Sequence, residues 1–186
     1  MNKAVNYLGR YASSSYKLGE VLGRFAARKL ADYDPDEVDK AIASTISRCA
    51  SLGYVDDFAF AMAQAQNHRR LGRSARYIEQ RLRQHRLDDR VIRTALDAAD
   101  KSFGNSDLCA AFTFARRRRI GPFDPRQESP ENADHPERMK RRQRELGALA
   151  RAGFAADVCL RVMDTESDAE AEAIINMMQY EEGLSM

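Results

Sequence analysis

An internal repeat constrains the fold of this chain more than any other feature of its sequence. The pattern S-x-x-x-[LI]-x-x-x-L begins at Ser14 and again, sixty residues later, at Ser74. A remnant of the second copy recurs 67 residues further on, with Leu149 in the place of Leu82. Repeats of this length are supersecondary units that bury their apolar faces against one another. The sequence therefore predicts a tandem repeat of three related modules, each with three helices.

The three modules differ in how well they keep the pattern. In the third, Ala155 stands where Asp88 caps the corresponding helix of the second, and Glu145 stands where Ile78 is expected to be buried. A loop over residues 121–136 holds four of the five prolines and interrupts the third module. The predicted boundaries are 1–52, 53–104 and 105–164 for the modules, and 165–186 for an acidic C-terminal helix or tail.

Helix starts and apolar stripes indicate an all-α fold. Asp34-Pro35-Asp36-Glu37 is a capping box with proline at the first helical position. Asp56, Ser74 and Asp88 are predicted to cap further helices. Apolar residues at helical spacing follow these starts: Val38, Ile42, Ile46, Cys49 and Leu52; Phe58, Ala61, Met62 and Ala65; Ala75, Ile78, Leu82 and His85; Ile92, Ala95, Leu96 and Ala99.

Several classes of protein are disfavoured. With 44% hydrophobic and 31% charged residues, a folded chain is expected rather than a disordered one. Cys49, Cys109 and Cys159 form no CxxC pair and the three histidines lie far apart, which argues against a disulfide framework or a zinc site. No apolar run is long enough for a membrane span, and no signal-peptide core follows Met1. We therefore expect a cytoplasmic protein with buried free thiols, no membrane association and no cofactor.

No residues resemble a catalytic site. Asp56-Asp57 and Asp88-Asp89 fall in predicted first helical turns, where carboxylates cap backbone amides and suit the helix dipole. His85 lies on an apolar stripe and is interpreted as a partly buried core residue. Nucleotide-binding, hydrolase and metalloprotease motifs do not occur. The chain is predicted not to be an enzyme, with no catalytic residues and no bound metal.

The net charge of +2 conceals an uneven distribution. Residues 69–93 contain nine arginines against three acidic residues, and residues 116–151 contain eleven basic against six acidic. Residues 164–182 contain seven acidic residues and no basic ones. A basic middle with an acidic end indicates an acidic or polyanionic partner.

Eleven basic residues are candidates for contact with such a partner. One group forms a positively charged turn and the exposed side of the next helix, a second ends a helix as four consecutive arginines, and a third lies on a later helix without i, i+4 partners. An equally open alternative is that these residues only make the surface soluble. The candidates are Arg69, Arg70, Arg73, Arg76, Arg83, Arg116, Arg117, Arg118, Arg119, Lys140 and Arg144.

The order of several short motifs resembles the RecX family. Residues 53–61, GYVDDFAFA, resemble the family signature G-[YL]-[LV]-D-D-x-x-[FY]-A. A positively charged, glycine-containing turn at 69–74 and a helix with Ile78 and Leu82 follow, as in the family. Ile92-x-x-Ala-Leu matches next, and residues 149–154 match a late L-x-x-R-G-F with alanine in place of arginine. The resemblance spans about residues 4 to 163.

This resemblance implies a regulator of the RecA recombinase. Family members are tandem three-helix repeats that form an elongated, curved body in the groove of RecA filaments on DNA. They restrain filament growth, strand exchange, ATP hydrolysis and co-protease activity, and so act in recombination, DNA repair and the SOS response. Some also bind DNA weakly. The chain would accordingly be a monomer that binds the RecA filament.

Two other functions remain open on the residues alone. One is a sequence-tolerant nucleic-acid-binding protein, although no recognition helix or aromatic stacking platform is visible. The other is a helical-repeat adaptor that binds a helix of another protein. The long 121–136 loop, the diverged third module and the acidic end depart from the family pattern, and each could change which surface meets a partner.

Overall fold

The computed structural model describes residues 1–103, 106–126 and 135–183, and every regular element within them is helical. The predicted all-α class is therefore confirmed for this part of the chain. None of its helices is both long and apolar enough to cross a membrane. The helices are α1 (Asn2–Leu8), α2 (Ser15–Lys29), α3 (Pro35–Ser51), α4 (Asp57–Arg70), α5 (Ala75–Arg83), α6 (Asp89–Phe103), α7 (Asp107–Arg118), α8 (His135–Arg151), α9 (Ala156–Asp164) and α10 (Asp168–Gly183), with a 3-10 turn at Gly121–Phe123.

Most of the predicted helix starts are confirmed by side-chain caps. The Asp34 carboxylate accepts a hydrogen bond from the amide of Asp36 at 2.8 Å, and that of Asp56 accepts from the amide of Ala59 at 2.9 Å. The side chains of Ser14, Ser74 and Asp88 accept corresponding hydrogen bonds from backbone amides two or three residues further on. At the start of α9, Ala155 makes no side-chain cap, as its residue type requires. These bonds are local, so the sequence around each start is enough to predict them.

One compact unit contains residues 1–63 and 81–95. Within it α1, α2 and α3 pack on one another around a small core. The apolar face of α2 supplies Leu18 and Leu22, which lie four residues apart and therefore on one side of the helix. The buried residues of this core are Ala4, Leu18, Leu22, Cys49 and Val55.

A second compact unit contains residues 64–80 and the described residues from 96 onward. Its core gathers α7, α8, α9, α10 and the 3-10 turn, with Phe112, Leu149, Val162 and Ala171 fully buried. Helices α4, α5 and α6 each contribute residues to both units.

The apolar stripes are largely confirmed, with exceptions at helix ends. Leu82 and Leu149, at equivalent repeat positions, are both buried. In contrast, Leu52 is 44% exposed and Phe58 is 38% exposed, although both were expected on the inner face. Leu52 is the C-terminal cap of α3 and Phe58 lies in the first turn of α4. A helix end has fewer packed neighbours than a helix centre, which accounts for both errors.

Candidate interaction surface

The turn between α4 and α5 lies directly against α7. Gly72 in this turn has φ +67°. This is the left-handed region of backbone conformation, which residues other than glycine rarely adopt. A Cβ atom at this position would lie 2.8 Å from the amide nitrogen of Phe114 and 3.0 Å from the carbonyl oxygen of Ala110. Only glycine therefore allows the turn and the backbone of α7 to approach this closely.

Arg69, the first residue of the predicted basic turn, is buried rather than exposed. Its side chain is 2% exposed, and its Nε and Nη2 donate to the two carboxylate oxygens of Asp100 at 2.8 and 2.7 Å. Nη1 donates to Asp107 and, at 3.2 Å, to the carbonyl oxygen of Arg73. The expectation that Arg69 faces a partner is wrong, because two carboxylates and a carbonyl take up its donors inside the unit.

The pKa values of Asp100 and Arg69 both differ from their ordinary values. Burial raises the pKa of Asp100, and the hydrogen bonds and charge of Arg69 offset only part of that rise. The pKa of Arg69 is raised: burial opposes this, but the bonds from Asp100 and Asp107 outweigh it. Arg69 thus remains charged and acts as a structural tie between α4, α6 and α7.

Asp107 also binds the backbone at the C-terminal end of the turn. Its Oδ1 accepts a hydrogen bond from the amide of Ala75, the first residue of α5, at 2.7 Å. In the first unit, Asp57 Oδ1 accepts from the amide of Ser15, the first residue of α2, at 2.7 Å. Asp57 was expected to cap its own helix, and its carboxylate instead binds the start of another helix. Aspartates early in α4 and α7 therefore fix the starts of α2 and α5.

The C-terminal end of α7 meets the same turn. Nη1 of Arg117 donates to the carbonyl oxygen of Leu71 at 3.0 Å. The guanidinium of Arg118 lies 5.6 Å from the centre of the Phe114 ring, and that of Arg73 lies 4.8 Å from the centre of the Tyr77 ring. Two basic segments that are 46 residues apart in sequence are thus joined in space.

The four consecutive arginines have different surroundings, although all four are exposed. Arg116 pairs with Asp168 and Glu172 of α10 and lies over the ring of Phe123. Arg119 caps α7 in the left-handed conformation, with φ 54°. Arg116 is therefore engaged by the acidic helix of its own chain.

The remaining candidates lie on α4, α5 and α8. Arg76 and Arg144 are exposed, and Arg70 is exposed beside the turn. Arg83 pairs with Asp89 at 2.9 Å. Lys140 was expected to have no i, i+4 partner, and its Nζ instead lies 3.1 Å from Oε1 of Glu137, three residues before it. The i, i+3 spacing is as close on a helix surface as the i, i+4 spacing considered in the sequence.

Two buried acids, Asp124 and Glu145, were not recognised as partners of other residues from the sequence. Glu145 Oε2 accepts from the amide of Gly121 at 3.1 Å, and Asp124 Oδ2 lies 3.6 Å from Nε of Arg141. Burial favours a higher pKa for Asp124, but its bonds with Arg126 and the charge of Arg141 outweigh it, so the pKa is lowered. Arg141 of α8 thus lies beside Asp124, the residue that ends the 3-10 turn.

The groups considered for acid–base chemistry have structural roles. Asp56 and Asp88 cap helices, and Asp89 pairs with Arg83. His85 is half-buried, with its ring 5.0 Å from that of Phe60, and burial lowers its pKa. Among the residues the structure describes, no group of three His, Cys, Asp or Glu side chains is placed to hold a metal ion.

Comparison with known proteins gives a consistent result, although no protein-family model matches the sequence. The chain is 33% identical over 167 residues to the regulatory protein RecX of Myxococcus xanthus, across 88% of this chain and 83% of that protein. It is 27% identical over 175 residues to the regulatory protein RecX of Agrobacterium fabrum, across 94% and 86% of the two chains. With the regulatory protein RecX of Thermobifida fusca the identity is 29% over 137 residues, across 73% and 65%.

Proposed function

We propose, since the chain belongs to the RecX family of regulatory proteins, that it binds filaments of the RecA recombinase and inhibits their activity. The observation that carries this proposal is the 33% identity across 88% of the chain. Inhibition by binding needs no catalytic step, so the chain would act as a cytoplasmic, stoichiometric regulator in recombination, DNA repair and the SOS response.

We also propose that the chain is a tandem repeat of three-helix modules, and the contacts of α2 and α5 support this. Ser15 and Ala75 lie sixty residues apart, at equivalent positions of the sequence repeat. Each donates its backbone amide, at 2.7 Å, to an aspartate in the first turn of a helix that begins another predicted module. Equivalent bonds at equivalent positions are expected if 1–52, 53–104 and 105–164 are copies of one three-helix design.

Direct binding of DNA is the main competing function. A protein that neutralises several phosphates releases condensed counterions, and its affinity therefore falls steeply with salt. Binding to a protein filament releases fewer ions, so its affinity is expected to fall less as the salt concentration rises. A helical adaptor for an unrelated protein is the other alternative, and it predicts no effect on RecA.

A pull-down with RecA separates these functions. The chain is immobilised and incubated with RecA, with and without single-stranded DNA and an ATP analogue, over a range of NaCl concentrations. We expect retention of RecA chiefly when DNA and nucleotide allow filaments to form, and retention of little DNA when RecA is omitted. DNA retained equally well without RecA would favour the nucleic-acid-binding alternative, and no retained RecA under any condition would favour the adaptor.

A further inference from the structure

We infer that the turn between α4 and α5, with the end of α7, is a docking surface for an acidic protein segment that also carries an apolar side chain. This inference rests on the proposed function and names the part of the chain that would meet the filament protein. We call this area the turn surface and define it by Arg70, Leu71, Arg73 and Arg117.

The turn surface is held rigidly from beneath. Gly72 lies in contact with the α7 backbone, and Arg69 anchors the turn through Asp100, Asp107 and the carbonyl oxygen of Arg73. Arg117 closes the other side through its bond to the Leu71 carbonyl oxygen. A surface that is fixed before binding loses little conformational freedom on binding, which favours affinity.

The exposed groups of this surface combine charge with an apolar centre. Leu71 is 46% exposed. Arg70 and Arg73 flank it on the turn, Arg117 is bonded to its carbonyl oxygen, and all three arginines are exposed. A guanidinium presents a planar fork of donors that matches a carboxylate. Leucine gains free energy only where a partner covers it with an apolar group. The pair of features therefore fits a polypeptide with acidic and apolar side chains.

The same chemistry already occurs within this chain, a few residues away. Helix α10 places Asp168 and Glu172 on Arg116, while its Ala171 is buried in the core that includes α7. Acidic side chains of this helix thus bind one member of the arginine run, while an apolar residue of the same helix is buried. Arg116 is thereby engaged, and Arg117 faces the turn instead.

A nucleic acid fits the turn surface less well. Single-stranded nucleic acids are held largely by stacking of bases on aromatic rings. The Arg73 guanidinium lies over the Tyr77 ring, which also packs against His68. The Arg118 guanidinium lies over the Phe114 ring, which packs against Phe154. The apolar side chain of Leu71 also has no use against a phosphate backbone.

Fluorescence anisotropy with labelled probes tests the inference on the full chain. The probes are a peptide of alternating Glu and Leu, a peptide of equal length and charge with Ser in place of Leu, and an oligothymidine. We expect the Glu–Leu peptide to bind most tightly. Arg70→Glu with Arg73→Glu should weaken it by about tenfold or more because attraction becomes repulsion. Leu71→Ser should weaken it by roughly threefold and abolish the preference over the Glu–Ser peptide.

A matched control removes the effect of net charge. Arg90→Glu with Arg93→Glu on α6 makes the same charge change at the same three-residue spacing, on two exposed residues. We expect this variant to bind the Glu–Leu peptide as the parent does, with all variants equal in circular dichroism and melting. An equal loss in the control, no effect of Leu71→Ser, or tighter binding of oligothymidine than of the peptide would each overturn the inference.

A second arm uses RecA filaments in place of the peptide, with the same variants. If the turn surface is the filament contact, the Arg70→Glu, Arg73→Glu variant binds filaments about tenfold more weakly, and the Arg90→Glu, Arg93→Glu variant binds them as the parent does. A parent chain that binds the Glu–Leu peptide but no RecA contradicts the proposed function and leaves the docking surface in place. A parent chain that binds RecA equally well with and without the turn substitutions contradicts the docking surface alone.

Discussion

At the scale of single residues, the buried Arg69 is expected to contribute strongly to stability. Arg69→Met keeps the length of the side chain but leaves Asp100 and Asp107, both half-buried, without their cation. Removing one partner of a buried charge network strands the others, and we expect the free energy of unfolding to fall by roughly 2–4 kcal/mol at pH 7. Urea unfolding measures this loss.

The pH dependence of that loss checks its cause. Once Arg69 is removed, protonation neutralises the stranded Asp100 carboxylate, whose pKa burial raises above its ordinary value. Stability of the variant should therefore rise relative to the parent as pH falls toward 4. Arg76→Met, at an exposed position of the same unit, should change the free energy of unfolding by no more than about 0.5 kcal/mol. A loss for Arg69→Met as small as that would contradict the structural role.

His85 gives a second prediction at this scale. Burial, with smaller effects of Lys17 and Arg81, lowers its pKa below the ordinary 6.5, so the unfolded chain takes up a proton before the folded chain does. Stability should consequently fall as pH decreases from about 7 to 5, by at most about 1.4 kcal/mol per pH unit from this group. His85→Phe, which keeps a ring beside Phe60, should lose that part of the slope. Identical slopes in parent and variant would show that His85 does not titrate differently on folding.

The distance between partners explains which residue roles could be predicted. The caps Asp34, Asp56 and Ser74 bind amides two or three residues away, so the local sequence is sufficient. Arg69 binds acids 31 and 38 residues away, and nothing near it in the sequence distinguishes it from Arg70. Its burial depends on tertiary packing, and sequence reasoning placed it wrongly on the surface.

At the scale of elements, the packing of the α4–α5 turn on α7 makes a prediction with an internal control. Gly72→Ala and Gly53→Ala both force alanine into a left-handed conformation, with φ +67° and +71°. That strain alone costs about 1 kcal/mol. The Cβ at position 72 additionally meets the α7 backbone at 2.8 Å, whereas at position 53 it meets nothing within 4 Å. We expect Gly72→Ala to be less stable than Gly53→Ala by roughly 1–3 kcal/mol. Equal losses in urea unfolding would mean that the turn does not lie against α7.

The elements were predictable to different degrees. Stripes at helical spacing placed the buried residues of α6 correctly, since Ile92, Ala95, Leu96 and Ala99 are all buried. The repeat also marked Glu145 as a departure, because the equivalent Ile78 was expected to be buried. The structure buries Glu145 as well and satisfies it with the Gly121 amide. The sequence located the unusual position, but only the fold of the 3-10 turn reveals its partner.

At the scale of the whole molecule, helix starts and apolar stripes led to the all-α class, which is confirmed for the described residues. The resemblance of short motifs led to the family, which is confirmed as well. The module boundaries, the basic residues as partner contacts and the RecA filament as partner stay predictions. The charge totals of the sequence could not resolve the candidate surface, because a run of arginines does not show which members are paired. In the structure Arg69 is buried on Asp100 and Asp107, and Arg116 pairs with Asp168 and Glu172, so neither is part of the turn surface.

The central claim is that the chain restrains RecA filaments, and ATP turnover by RecA on single-stranded DNA tests it most directly. Increasing amounts of the parent chain are added to RecA with excess ATP, and filament length is followed in parallel. We predict that turnover and length both fall with added parent chain. The Arg70→Glu, Arg73→Glu variant should need about tenfold more protein for the same effect, while the Arg90→Glu, Arg93→Glu variant should match the parent. Turnover and filament length that stay unchanged at every concentration of the parent chain would contradict the claim.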